Sequence, residues 1–223
     1  MKKRKTQILL ISSSPHREKS DTFILAKEVL RGACDNGCRG NIIHLADCHI
    51  AFCRHCQQCH KKILRCPLRD RVPSVLKAML EAQGLIFASP NYISQITASM
   101  KALFERSTHF IHCKRLLGKY AAGVVSSGSG QDKCILEYIK HYANICGAQY
   151  SGGVFACERE IEGKLREAYR LGERLARHIK NEKLFPEQIK IVEASRKHFK
   201  KLIQLRGKEW TQEYRYWRNK GWL

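Results

Sequence analysis

The chain has 223 residues, 43% of them hydrophobic, and 41 Lys and Arg face 20 Asp and Glu for a formal net charge of +21. That length and apolar content suit one α/β domain with a real core and room for an added piece, and exclude a chain too polar to fold. The charge favours anionic partners: nucleotide cofactors, acidic proteins, membrane surfaces or nucleic acid. No apolar stretch reaches a membrane span, and the basic start MKKRK runs into only residues 8–11, too short for a signal peptide, so a cytoplasmic location is expected. In such a reducing compartment eleven cysteines read as metal ligands or buried thiols rather than disulfides.

Residues 5–12, KTQILLIS, read as a buried strand. Asp21 and Thr22 open a helix whose apolar positions Phe23, Leu25, Ala26, Val29 and Leu30 share one face. Residues 37–40 break the chain and 41–45 form a second strand. A cysteine loop follows, then a helix over 73–83 and a third strand over 84–89, GLIFAS. The spacing predicts a helix over 99–110, a strand over 120–126, a helix over 132–146, a strand over 150–156 and a charged helix over 159–180. Strands alternating with helices five times argue for a parallel sheet covered on both faces by right-handed crossovers. Ligands then bind beyond the carboxyl ends of the strands, which singles out residues 12–22, 89–99 and 126–132.

The run CRHCQQCHKKILRC carries Cys53, Cys56, Cys59 and Cys66 as C-x2-C-x2-C-x6-C. Thiolates so spaced can converge on one inorganic core, and Pro67 after the fourth cysteine is ferredoxin-like. Two other readings stay open. Zinc, with His55 or His60 as substitute ligands, is weaker because structural zinc usually draws two separated pairs. A redox dithiol is the third. Cys48 is a spare thiol, and Cys34, Cys38, Cys113, Cys134, Cys146 and Cys157 read as core.

The loop SSSPHREKSDT offers hydroxyls, a helix N-terminus and one guanidinium, the parts of a phosphate cradle. It lacks both G-x-G-x-x-G and G-x-x-x-x-G-K-[ST], and a capped βα turn accounts for it as well. In SPNYISQITASMKALFER, Asn91 and Tyr92 present a polar group and an aromatic face to a planar ligand. In SSGSGQD, two glycines permit close backbone approach and Gln131 adds a hydrogen-bonding group.

Together, KTQILLIS with SSPHREKSDT, the compact cysteine run, SPNYISQITASMKALFER and GVVSSGSGQD resemble the flavodoxin-like NAD(P)H-dependent FMN reductase superfamily, and more closely its iron–sulfur flavoproteins. The resemblance spans about residues 6–180 and implies a flavodoxin-like, doubly wound, five-stranded parallel sheet in three layers. It places Ser12, Ser14, Arg17, Ser20 and Thr22 at the FMN phosphate, and Pro90, Asn91, Tyr92 and Ile93 at the isoalloxazine. Ser127, Gly128, Gly130 and Gln131 fall in the third flavin loop, and Cys53, Cys56, Cys59 and Cys66 on the ligands of a [4Fe–4S] cluster. It implies a homodimer or homotetramer with NAD(P)H or ferredoxin as donor, and no essential catalytic side chain, because the flavin does the chemistry. Departures are mild: Ser12 stands where Gly is common, Arg71 follows Asp70 where paired acids are common, and Glu105 precedes Arg106 in place of Asp.

The division expected is 1–183, an FMN domain with its cysteine loop at 48–70, and 184–223, a helical extension. Nine basic and two acidic residues fall within 196–220. Ile189, Val192, Phe199, Leu202 and Leu205 have helical spacing, with Trp210, Tyr214, Tyr216, Trp217 and Trp222 beyond. An amphipathic helix packing on a neighbouring subunit fits better than nucleic-acid binding, since no such motif is present. The rival functions are an FMN or quinone reductase without a cluster, and a non-enzymatic flavodoxin-like protein with a zinc-stabilised loop and a polyanion-binding tail.

Overall fold

The structure, a computed structural model, describes residues 5–128, 130 and 133–223. Five strands form one parallel sheet: β1 (Gln7–Ser12), β2 (Arg39–His44), β3 (Gly84–Pro90), β4 (Tyr120–Ser127) and β5 (Gln149–Cys157). Their order is β2-β1-β3-β4-β5, the flavodoxin-like arrangement that the resemblance implies. The chain reverses its winding at β1 and β3, so the crevice between those two strands opens at their carboxyl ends.

The helices are α1 (Asp21–Asp35), α2 (Gln58–Lys61), α3 (Val72–Glu81), α4 (Ala98–Glu105), α5 (Thr108–His112), α6 (Lys133–Ile145), α7 (Ile161–Lys180), α8 (Pro186–Leu205) and α9 (Thr211–Asn219). The central strands are apolar on both sides. Ile8, Leu10, Ile86 and Val124 pack under α1 and α7, while Leu9, Ile11, Leu85, Phe87 and Val125 pack under α3, α4 and α6. Helices α1 and α7 meet at backbone distance. A Cβ on Gly32 would lie 2.1 Å from the Tyr169 carbonyl oxygen, and one on Gly172 would lie 2.0 Å from that of Val29.

The helix expected over 99–110 is two helices. The Ser107 hydroxyl donates to the Phe104 carbonyl at 2.7 Å, and that of Thr108 donates to Glu105 at 2.9 Å. Those carbonyls would otherwise accept the N–H groups of residues 108 and 109, so the side chains end the helix. The charged helix starts at Ile161, after a short 3-10 turn at Glu158–Glu160. No helix among the described residues is long and apolar enough to cross a membrane.

The extension packs on its own chain. Gln188 on α8 accepts from Asn144 and from the Tyr150 amide and donates back to the Tyr150 carbonyl. The fully buried Lys114 ammonium donates to Ser195 of α8 at 2.6 Å and to the carbonyls of Ile111 and Ile145. Trp210, Trp217 and Ile203 close a third apolar cluster over Cys113. Val192 lies inward as the spacing predicts, but Leu205, at the end of α8, is 80% exposed.

Candidate functional site

Three loops leave the carboxyl edge at β1, β3 and β4 and are tied to one another. The Ser13 amide donates to Ala88 at 2.9 Å, the Asn91 amide to Ser126 at 2.8 Å, and the hydroxyls of Thr22 and Ser126 meet at 2.6 Å. The Cys134 thiol reaches the Ser94 carbonyl at 3.7 Å.

In the first loop, Ser20 caps α1 by accepting the Phe23 amide at 3.0 Å, which leaves that helix's first turn facing the loop. Ser12 and Ser14 are buried, and the Ser12 hydroxyl has no hydrogen-bond partner among the described residues. Arg17 sits at φ 50°, and its Nε pairs with Asp47 at 2.5 Å. A buried hydroxyl awaiting a partner, beside a helix N-terminus and a guanidinium, fits an anion such as a phosphate.

In the second loop, Pro90 closes β3. Asn91 accepts the Ser94 amide at 2.9 Å, and Tyr92 and Gln95 exchange backbone hydrogen bonds. That turn holds Ile93 and Ser94 at φ 52° and 57°, with Ile93 99% exposed and Tyr92 half-exposed. Left-handed β-branched residues are held only where the surroundings over-determine them, and ligand clamps are such places. In the third loop, Ser127 accepts the Gly130 amide at 2.9 Å, Gly130 takes φ 79°, and a Cβ on Gly128 would touch nothing. Gln131 lies outside the described residues.

The cysteine segment leaves the same edge after β2 and returns at α3. Its path turns at three left-handed residues, His55, Gln57 and Leu64. Cys53 and Cys56 are exposed, and Cys59 and Cys66 are half-buried. The Cys59 thiol is pushed up to about 12, first by burial, then by the charges of Glu213, Cys66 and Cys53, so it lies in the field of two of the other three thiols. Cys66 lies beside the Arg106 guanidinium. Among the described residues, Nε and Nη2 of Arg106 have no hydrogen-bond partner. Cys48, the spare thiol, donates to the His44 carbonyl at 3.5 Å. Of the scattered cysteines, Cys38, Cys113 and Cys146 are core, as expected, whereas Cys134 is exposed.

His60 is no exposed substitute ligand of this run. It is buried, and its Nδ1 lies 2.8 Å from Glu213 Oε1. His112 Nδ1 lies 3.0 Å from Glu213 Oε2. Consecutive residues of the extension grip the segment. Trp210 Nε1 donates to Gln57 Oε1 at 2.9 Å, Thr211 to the Lys61 carbonyl at 3.5 Å, and Gln212 Oε1 accepts from the Ile63 amide. Sequence reasoning missed this clasp. Its only signal was an acid and a tryptophan, WTQE, inside an otherwise basic tail.

A family model for NADPH-dependent FMN reductase matches residues 6–161. An iron–sulfur flavoprotein of Methanocaldococcus jannaschii is 30% identical over 191 residues, covering 78% of this chain and 97% of that protein. One from Archaeoglobus fulgidus is 26% identical over 186 residues, covering 81% and 84%. Among solved structures, an NADH:FMN oxidoreductase in its apo form superposes with a TM-score of 0.57 at 22% identity, over 77% of this chain and 89% of the other. A flavodoxin, WrbA-like protein from Agrobacterium tumefaciens does so at 0.56 and 16% identity, over 81% and 100%. The structural likenesses speak for the fold alone.

Proposed function

The chain belongs to the NADPH-dependent FMN reductase family, as an iron–sulfur flavoprotein within it, and from that premise we propose that it couples FMN to a [4Fe–4S] cluster held by Cys53, Cys56, Cys59 and Cys66. The observation that carries this reading is the common edge: the cysteine segment springs from the strand end beside the three tied loops, joined to the first of them by Arg17 and Asp47. Bound FMN would supply exchange between two-electron and one-electron steps, and a bound cluster would supply one-electron transfer.

The chain's own residues bind and orient. Ser12, Ser14, Arg17, Ser20 and Thr22 would hold the phosphate, with the α1 N-terminus facing its charge. Pro90, Asn91, Tyr92 and Ile93 would flank the flavin ring on the rigid turn after β3. Ser127, Gly128 and Gly130 would close its other side with backbone groups, and Gln131 belongs with them by position in the sequence. Residues 1–183 form the cofactor domain in this reading, and 184–223 the extension that backs its cysteine segment. The donor is NAD(P)H or an acidic ferredoxin drawn by the basic surface, and the working form is a homodimer or homotetramer in a reducing compartment.

The test is anaerobic purification, a visible spectrum and iron analysis, followed by titration with NADH, NADPH and reduced ferredoxin. Flavin bands with a broad cluster shoulder, about four irons per chain and reduction by one of these donors are expected. Flavin without iron would leave an FMN or quinone reductase. A flavin that none of the three reduces would end the electron-transfer reading.

A further inference from the structure

Glu213 is 0% exposed, yet it stands in a segment with nine basic and two acidic residues over 196–220. Each of its carboxylate oxygens faces one imidazole nitrogen, Oε1 that of His60 at 2.8 Å and Oε2 that of His112 at 3.0 Å. An anionic carboxylate inside a protein needs a compensating positive charge. Among the described residues, the side chains hydrogen-bonded to it are two imidazoles, one from α2, one from α5.

The donor set has the marks of a coordination site. His60, His112 and Glu213 come from three elements far apart in sequence, and all three are buried. Their ligand atoms lie within 4.8 Å of one another. Both imidazoles present the same nitrogen, Nδ1, to the carboxylate, at 2.8 and 3.0 Å. In a tetrahedral site two donors each about 2.1 Å from one ion stand about 3.4 Å apart, so these nitrogen–oxygen pairs need open by only about 0.4–0.6 Å. Drawing the two nitrogens to the about 3.4 Å of a tetrahedral pair takes a closing movement of at most about 1.4 Å, within reach of small ring rotations. Trp210 stacks on both rings, at 4.2 Å from His60 and 5.1 Å from His112. One turn before His112, the buried His109 lies in the field of Glu213, and neither of its ring nitrogens has a hydrogen-bond partner among the described residues. A buried imidazole left so calls for a bound water or ion nearby.

We propose that His60, His112 and Glu213 bind one divalent transition-metal ion of the zinc type, separate from the cysteine run, which staples the extension to the cysteine segment. Two imidazoles and one carboxylate suit zinc, whereas calcium and magnesium take oxygen donors. The fourth position is filled by water. Because α9 already touches Gln57, Lys61 and Ile63, the ion completes a lock on the strip of chain that carries Cys56 and Cys59.

The full-length protein, loaded with FMN and iron, is equilibrated with a zinc buffer and desalted. Zinc and iron are counted, and the zinc X-ray absorption spectrum is recorded. The result expected is about one zinc per chain with a shell of only nitrogen and oxygen neighbours. Glu213→Gln, which keeps the side chain's shape, should weaken zinc retention by more than about tenfold, with FMN content unchanged. Sulfur neighbours would place the zinc in the cysteine run and overturn the proposal, as would zinc retention no greater than that of Glu213→Gln. Should the variant fail to fold, the wild-type absorption spectrum decides by itself. Iron content reports on the cluster separately, so the two proposals fail independently.

Discussion

Arg106 and Asp70 form an ion pair sealed inside the protein, each side chain 1% exposed. Arg106 also donates to the Ala51 carbonyl at 3.1 Å, and Asp70 accepts the amides of Ala51 and Val72 at 3.0 and 3.1 Å. The pair thus joins the end of α4 to both roots of the cysteine segment. Asp70→Ala strands a buried guanidinium and should cost about 3–5 kcal/mol, read as a lower urea midpoint. Burial would raise the Asp70 carboxyl, but Arg106 and the two amides hold it below its ordinary value. The stability it gives is therefore complete above the unfolded value of about 3.9 and is lost as pH falls through the lower folded value. Asp70→Ala should flatten that acid limb.

Ser12→Ala removes a buried hydroxyl that has no partner among the described residues. A hydrogen bond to a charged group is worth about 1.5–3 kcal/mol, so FMN affinity should fall about ten- to hundredfold. Titration of apoprotein with FMN, followed by flavin fluorescence, reads this. A change under about twofold removes Ser12 from the phosphate site.

Lys114 is fully buried, and burial pulls its ammonium down to about 8 from 10.5, with Cys146, Cys113 and Arg196 as smaller influences. Between those values the unfolded chain binds more protons than the folded one, so this group makes stability rise with pH. Relative to Lys114→Met, the wild type should gain up to about 3 kcal/mol across that window and nothing further above it. Denaturant melts at a series of pH values measure the difference. The thiols of Cys59, Cys113 and Cys146, all raised by burial, act with the opposite sign, which is why the comparison with the variant matters.

Trp217 is fully buried, and its Nε1 donates to the His112 carbonyl at 3.1 Å. Trp217→Ala should cost about 3–5 kcal/mol. Trp210→Ala is a sharper probe of coupling, because Trp210 touches Gln57 and both histidines. Amide hydrogen exchange in residues 57–63 should quicken while that of β1 and β3 stays slow. Unchanged exchange in 57–63 would mean that the extension does not order the segment.

Cys59→Ser should abolish the cluster and leave FMN bound, read as iron loss without loss of the flavin bands. Simultaneous loss of both would show that the segment also shapes the flavin loops.

Much of the frame was legible because local chemistry dictates it. KTQILLIS and GLIFAS are apolar throughout, as strands buried on both faces must be, and Ser20 caps a helix one residue before the amphipathic pattern begins. The split at Ser107 was hidden because its cause is the direction of two hydroxyls, while the apolar spacing runs on through Phe110. In the sequence Glu213 is one of two acids in a basic tail, and His60 a substitute ligand beside Cys59 in the zinc reading. Their partnership spans 153 residues, and nothing in either local sequence encodes it. Likewise Asp70 and Arg106 stand in the sequence only as neighbours of two small departures, Arg71 and Glu105, and the fold makes them one pair.

The grip of residues 210–213 on 57–63 also has a meaning in time. During synthesis the cysteine strip leaves the ribosome roughly 8–30 s before the residues that hold it, at 5–20 residues per second. The nascent strip therefore lacks its brace for that interval, with its thiols facing the cell unsupported. Loading that waits for α9 would be a post-translational event, and it would come last.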